Sequence, residues 1–394
     1  MRTREVWITG VGAVTSVGSD APALAGALCN GASGLRPLPG CSGRAAGIIE
    51  GFAASRETRR LDRSASLFMG AAKEAWISAG LEGAVVEGGR CAITEGSSLG
   101  PMSDLIDATR VRSKARPSAL LRFMSGAGGA AFAQAHGIAG PVLHVSAGSV
   151  SAACAIGEAF RWINEGRADI VVAGGAECPL NPDIVEHFRA AGILADQAEA
   201  DSPCRPFDIA RTGTVLGEGA GVMILESEDH ARRRGAGPRA AVRGYGLSCE
   251  TYSMFAPDPS GAGISAAAEQ ALVMAGDCRV GWIKTHGTGT RQNDAAECRG
   301  LASLFGADLC DIPLTALKPL VGHCLGASGS VEAVASVLAL EQHIVPPSKG
   351  TVRVDPELPA CNVVTQTRES DAHDVLLLAE SFGGRCAALV IGRV

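Results

Sequence analysis

The 394-residue chain carries 35 Lys and Arg against 41 Asp and Glu, for a formal net charge of −6, with 46% hydrophobic residues, 19% charged residues and 51 glycines. That length and apolar content bury a sizeable core, in one large domain or two that share it, and exclude a small module, a disordered chain and a fibre. The longest cationic patch, Ala231-Arg-Arg-Arg-Gly235, reads as a helix end complementing the dipole, so nucleic acid is not expected as a partner.

In chain order, short β-branched runs predict strands at Val6–Thr9, Cys91–Thr94, Val142–Val145, Ile170–Ala173, Gly221–Leu225, Ile283–Thr285 and Val375–Ala379. Alanine-rich segments between them predict helices, most clearly over Ala152–Glu165 and Gly329–Glu341. Alternation of the two predicts an α/β fold whose parallel strands are buried on both faces. A charged, turn-rich stretch from Glu226 to Arg239 separates two blocks of similar style, giving halves at residues 1–238 and 239–394, although no fixed-period repeat is visible. The thirteen cysteines, from Cys29 to Cys386, form no C-x-x-C pair and no zinc-spaced cluster, and read as small apolar residues in a reducing compartment. Glycine soon breaks the amino-terminal apolar run, and no window supplies the ~18 apolar residues of a membrane span, so a cytoplasmic protein without membrane insertion is expected.

Two generic motifs come first along the chain. Gly10-Val-Gly12 follows a strand as a dinucleotide fingerprint would, but the third glycine and the acidic ribose partner are missing. Gly96-Ser-Ser98-Leu-Gly100 fits the G-x-S-x-G elbow of a hydrolase and also an ordinary turn, the commoner outcome in a glycine-rich chain. Between Gly140 and Ala159 lies a strand, a tight turn and a helix, with Ser149 at the handover. There, free N–H groups and the helix dipole can hold a developing oxyanion; the plainer alternative is a capping serine. His286-Gly-Thr-Gly-Thr290 follows a strand, and Gly322-His323-Cys-Leu-Gly-Ala-Ser-Gly329 precedes a helix, with Lys318 five residues upstream of His323. Imidazoles in glycine-rich loops can approach a substrate closely, donate to a carbonyl and move protons near neutral pH. Ser149, His286 and His323 together point to acyl-group chemistry.

With Ile8-Thr-Gly-Val-Gly-Ala-Val14, Ala173-Gly-Gly-Ala-Glu177, Arg205-Pro-Phe-Asp208, Gly217-Glu-Gly-Ala-Gly221, Ala256-Pro-Asp-Pro-Ser260 and Ser381-Phe-Gly-Gly384 in this order, the chain resembles a β-ketoacyl synthase, a condensing enzyme of the thiolase fold. The resemblance runs nearly end to end. It implies two similar α/β halves packed as a layered α-β-α-β-α sandwich. It also implies a dimer, formed with a copy of itself or with another ketosynthase-like chain, and an acyltransferase acting on acyl carrier protein thioesters in fatty acid or polyketide biosynthesis. No permanent cofactor and no metal are implied; the phosphopantetheine arm of the carrier arrives as substrate. Residue by residue, Ser149 falls at the position of the acyl-accepting cysteine, and Cys154 is left as a core residue. His286 and His323 match the histidines that assist malonyl decarboxylation, Lys318 the lysine that supports the second of them, and Glu297, with Asp294, the acidic residues that order the network. Thr288 and Thr290 match residues that contact the pantetheine arm, and Phe382 offers its N–H to the oxyanion hole beside that of Ser149. Three departures stand out: serine as nucleophile, Ser381 for the gating glycine, and Thr214 for an aromatic residue, the last two bearing on the acyl pocket and its gate. An alkanol needs a general base where a thiol does not, and its ester is a poorer electrophile than a thioester, so condensation through Ser149 is expected to be slow. Alternatives are a serine introduced in place of cysteine in an ordinary synthase, a non-elongating partner resembling chain-length factors, and a hydrolase working through Ser98.

Overall fold

The computed structural model describes residues 4–41, 43–53, 55–84, 86–110, 117–196 and 202–394. Eleven strands form its main sheet: β1 (Val6–Thr15), β2 (Cys91–Gly96), β3 (Val142–Val145), β4 (Ile170–Glu177), β5 (Gly219–Ser227), β6 (Ala240–Cys249), β7 (Val280–Lys284), β8 (Pro313–Thr315), β9 (Asn362–Val363), β10 (Asp374–Ser381) and β11 (Arg385–Gly392). Their order is β9-β8-β7-β10-β11-β6-β1-β5-β4-β2-β3. From the central β1–β6 pair outward, the sequences β1-β5-β4-β2-β3 and β6-β11-β10-β7-β8 have the same chain order and the same directions. The likeness of the two blocks, invisible as a residue period, is therefore plain in the topology.

The expected all-parallel sheet is instead mixed. Parallel pairing is confined to β2 with β3 and β4, to β7 with β8 and β10, and to β8 with β9, while β1 runs antiparallel to both β5 and β6. A tight turn at Gly383 and Gly384, φ +80° and +73°, joins β10 to β11 as a hairpin, which enforces antiparallel pairing there. β3 is the open edge of the sheet, and Val142 and Leu143 on it are exposed rather than buried.

Side-chain alternation along the strands builds the layers. In β10, Val375, Leu377 and Ala379 join the central core, whereas Leu376 and Leu378 face an outer one; in β11, Ala387, Leu389 and Ile391 alternate in the same way with Cys386, Ala388 and Val390. The central core encloses helices α2 (Ser151–Asn164) and α5 (Ser328–Glu341). Helix α1 (Arg63–Ser78) covers the first block from outside, and helices α3 (Ala262–Ala275) and α4 (Arg291–Phe305) cover the second. Helix α5 is buried from Ser328 to Leu340, as a largely apolar helix packed among strands of both blocks must be. A Cβ on Gly329 would stand 2.7 Å from the Ala153 nitrogen, so this glycine lets the starts of α2 and α5 touch.

The amino-terminal glycines have a packing explanation. Cβ atoms on Gly10 and Gly12 would fall 2.2 Å from the Ala75 oxygen and 2.1 Å from the Ala71 oxygen, so both sit inside β1 and let helix α1 lie close on it. They form no phosphate-binding loop. The Arg232–Arg233 patch ends a short helix, Glu228–Arg233.

Candidate active site

Helix α2 begins at Ser151, and Ser149 lies in the turn before it. The turn is clamped by Ser151, whose Oγ donates to the Gly148 carbonyl at 2.5 Å and accepts the Ala147 N–H at 2.8 Å. The Ser149 side chain caps nothing on the helix; its Oγ lies 3.3 Å from His323 Nε2. The capping alternative therefore finds no helix N–H to bond. Cys154, one turn further along, is buried in the central core.

His323 is held by its backbone and its far ring nitrogen. Its N–H donates to the Val215 carbonyl at 2.6 Å, its carbonyl accepts the Gly217 N–H at 3.0 Å, and Nδ1 lies 2.9 Å from Ser328 Oγ at the start of α5. Glu177, at the end of β4, ties down the neighbouring loops: its carboxylate accepts the N–H of Ser98, Leu99 and Gly326 and the Ser97 hydroxyl, and burial still pushes it up to about 7.

His286 follows β7, with its ring centroid 5.4 Å from that of His323 in an edge-on arrangement. Glu297 on α4 receives the N–H of His286 at 2.5 Å and of Gly287 at 2.9 Å, and Asp294 receives those of Phe207 at 2.8 Å and Gly289 at 3.1 Å. Desolvation raises Glu297 to about 7 and Asp294 to about 6. Thr290 caps α4 by accepting the Asn293 N–H, and its hydroxyl lies 3.0 Å from that of Thr288.

Lys318 differs from expectation. Its Nζ touches His286, donating to the carbonyl and lying 3.3 Å from Nδ1, and it donates to Glu332 Oε1 at 3.0 Å. Only its charge reaches His323. Three donors thus meet three acceptors. An ammonium has no acceptor to offer, so His286 Nδ1 must be the unprotonated nitrogen and the ring, when neutral, carries its proton on Nε2. Both histidines are held well below the usual imidazole range, first by burial and then by the Lys318 charge.

Three further residues complete the network, none singled out from sequence. Glu332 is shared by Lys318 and by Lys284, and Lys284 also donates to the Leu378 carbonyl at 2.8 Å; all three side chains are buried. Burial lowers the Lys284 ammonium, against the pull of Glu332. The third is Ser328 on His323. A usable signal existed: Glu332 is the only charged residue inside the apolar run of α5, and a lone carboxylate there demands a buried cation.

The other expected residues spread around this centre. Thr214 lines an apolar cavity of about 220 Å³ with Leu38, Leu180, Val185, Leu194 and Leu216, one backbone layer behind His323, since Val215 and Gly217 bond its main chain. Ser381 Oγ accepts the Ser149 N–H at 2.9 Å. Phe382 is half-exposed and packs edge-on against Phe255 at 6.0 Å. Ser98 is not brought to a base: its N–H goes to Glu177, and among the described residues no histidine bonds its hydroxyl. The hydrolase reading therefore lacks its machinery.

Residues 3–231 match the family profile described as "Beta-ketoacyl synthase, N-terminal domain", and residues 239–351 the profile described as "Beta-ketoacyl synthase, C-terminal domain". A Streptomyces violaceoruber protein described as "Granaticin polyketide putative beta-ketoacyl synthase 1" is 34% identical over 99% of both chains. Among solved structures, one of a type II PKS acyl-carrier protein in complex with its ketosynthase superposes with TM-score 0.90 at 26% identity, covering 100% of both chains. The ishigamide ketosynthase/chain length factor superposes with TM-score 0.89 at 28% identity, again covering 100% of both chains.

Proposed function

The chain belongs to the β-ketoacyl synthase family, and on that footing we propose that it is a ketosynthase-like acyltransferase acting on acyl carrier protein thioesters, with Ser149 as acyl acceptor. The observation that carries this reading is the 3.3 Å approach of Ser149 Oγ to His323 Nε2. With its proton on Nδ1, facing Ser328, neutral His323 leaves Nε2 bare to take the hydroxyl proton as Oγ attacks the thioester carbonyl. The carrier thiol leaves with that proton, and the acyl group remains on Ser149 as an ester.

His286 has the complementary tautomer. Its Nε2–H donates to the carbonyl oxygen of a malonyl thioester, stabilising the enolate formed as carbon dioxide departs. Attack of that enolate on the Ser149 ester forms the new carbon–carbon bond and releases the serine oxygen, which takes up a proton from water, because the proton first held by His323 left with the carrier thiol. An oxygen ester makes this second stage slow, so acyl transfer outpaces condensation. Thr288 and Thr290 border the route of the pantetheine arm, Phe382 supplies an oxyanion-hole N–H, and Thr214 opens the apolar cavity to the acyl chain.

The intact network around His286, His323, Lys318 and Glu332 favours chemistry over a purely non-elongating role. A second ketosynthase-like chain, identical or not, is the partner expected at β3, where Val142 and Leu143 leave an apolar open edge. The halves are assigned to residues 1–238 and 239–394 on the strength of the repeated strand order. Carbon dioxide release from malonyl carrier protein tests the site: His286→Ala should abolish it, and release at the wild-type rate from that variant would overturn the role given to His286.

A further inference from the structure

Ser381 ends β10 on the face that looks toward α2, and its Oγ accepts the N–H of Ser149 at 2.9 Å. Beside it, Gly148 takes φ +66°, and a Cβ there would stand 2.0 Å from Ser381 Oγ. The hydroxyl therefore occupies the space that a side chain at position 148 would need. An amide serves an oxyanion when it lies about 2.7–3.1 Å from the place the negative oxygen will occupy. The Ser381 oxygen already sits at such a distance from the amide of the very residue proposed as nucleophile.

We infer that Ser381 is a resident occupant of the oxyanion position: its hydroxyl takes the Ser149 N–H in the substrate-free protein, and an incoming acyl carbonyl must displace it. This rests on Ser149 being the acyl acceptor. The turn that follows Ser381 is anchored separately, because Gly383 N–H donates to the Met254 carbonyl at 2.9 Å, Arg385 Nη1 reaches the Phe382 carbonyl at 3.4 Å, and Phe382 packs on Phe255. Rotation of one serine between staggered positions is thus enough to free the amide, with no movement of the main chain. The substrate carbonyl competes with a neutral hydroxyl, and the gain from the amide in the transition state is reduced by the bond that is given up. Ser381 acts here as a positioning residue on the hole and takes no part in bond making.

Two variants, Ser381→Ala and Ser381→Gly, remove the competing oxygen and guard against misfolding of either one. Amide hydrogen exchange resolved at Ser149 is the direct readout: faster exchange in a folded variant supports the inference, and unchanged exchange overturns it. Single-turnover acylation by an octanoyl carrier-protein thioester is the functional readout, expected to quicken about twofold to tenfold, the weight of one neutral hydrogen bond. An unchanged or slower rate in both variants, in a protein that does acylate Ser149, would also overturn it. If no form acylates Ser149 while its exchange rises on substitution, the proposed function fails and the occupancy of the amide stands.

Discussion

Replacing Glu332 by glutamine keeps the shape of the buried network and removes its only shared negative charge. Lys318 Nζ lies 3.0 Å from Glu332 Oε1, and Lys284 binds the other carboxylate oxygen. At an effective dielectric constant of about 20, two unit charges 3.0 Å apart attract by about 5.5 kcal/mol, most of which offsets the cost of taking the ions out of water. Loss of the common partner leaves two ammonium groups with carbonyls and a histidine nitrogen, and breaking a buried ion pair in this way costs about 3–5 kcal/mol. Lys284→Met is the contrast: Glu332 keeps Lys318, one desolvated cation disappears, and the change should cost less than about 1.5 kcal/mol. Urea unfolding at pH 7 measures both. The pH dependence has a fixed sign, because a lysine whose folded pKa is lowered binds more protons unfolded, so stability rises with pH between its folded value and about 10.4. Burial already lowers Lys284 to about 8, and losing Glu332 lowers it further, so the Glu332→Gln penalty should shrink from pH 7 to pH 9.5. A loss below about 1 kcal/mol, or an equal loss at both pH values, would refute the shared-carboxylate description.

Other outcomes follow from the same geometry. Ser149→Cys should raise condensation about tenfold or more, about 1.4 kcal/mol of barrier, measured as β-ketoacyl product from acyl and malonyl carrier proteins; no gain would separate this scaffold from the elongating synthases. Because the Lys318 charge helps hold His323 low, Lys318→Met should move the acid limb of the acylation profile to higher pH, whereas the wild-type limb lies well below pH 6.5. A coincident limb in the two proteins would count against that coupling. Thr214→Phe should fill the apolar cavity and shift acceptance toward shorter acyl chains, read as kcat/KM across a chain-length series.

Much of the fold was legible because the strands that were predicted are rich in Val and Ile, which pack well on a pleated surface. Their cores were placed correctly even where they extend further, as β1 does to Thr15 and β10 to Ser381. Four strands of the main sheet escaped, the short β8 and β9 and two long ones at its centre. In β6, Gly244 and Gly246 interrupt the pattern, and a Cβ at either would fall about 2 Å from carbonyls of α3, so the glycines that hide the strand are there to seat the helix. In β11, Arg385-Cys-Ala-Ala reads as helical, and only the preceding hairpin turn makes it a strand. Missing both strands concealed the antiparallel centre of the sheet.

The site was legible where glycines flank a histidine in a loop, and the structure brings Ser149, His286 and His323 together. The second layer was harder to see. Lys284 ends β7 two residues before His286 and meets Glu332 only across the fold, 48 residues away in sequence. The choice of histidine served by Lys318 depends on how its short helix, Lys318–Val321, faces the loop at His286, which no local pattern encodes. Ser381 was visible as a departure from glycine, but its bond to the Ser149 amide joins residues 232 apart.

The central claim is that Ser149 takes the acyl group and that His323 removes its proton. Mass analysis of peptides after incubation with an octanoyl carrier-protein thioester tests it most directly. The account predicts one octanoyl group on the peptide containing Ser149, absent in Ser149→Ala and formed about 10²- to 10⁴-fold more slowly in His323→Ala. Acylation at Ser98 or at any cysteine, or undiminished labelling in Ser149→Ala, would contradict it.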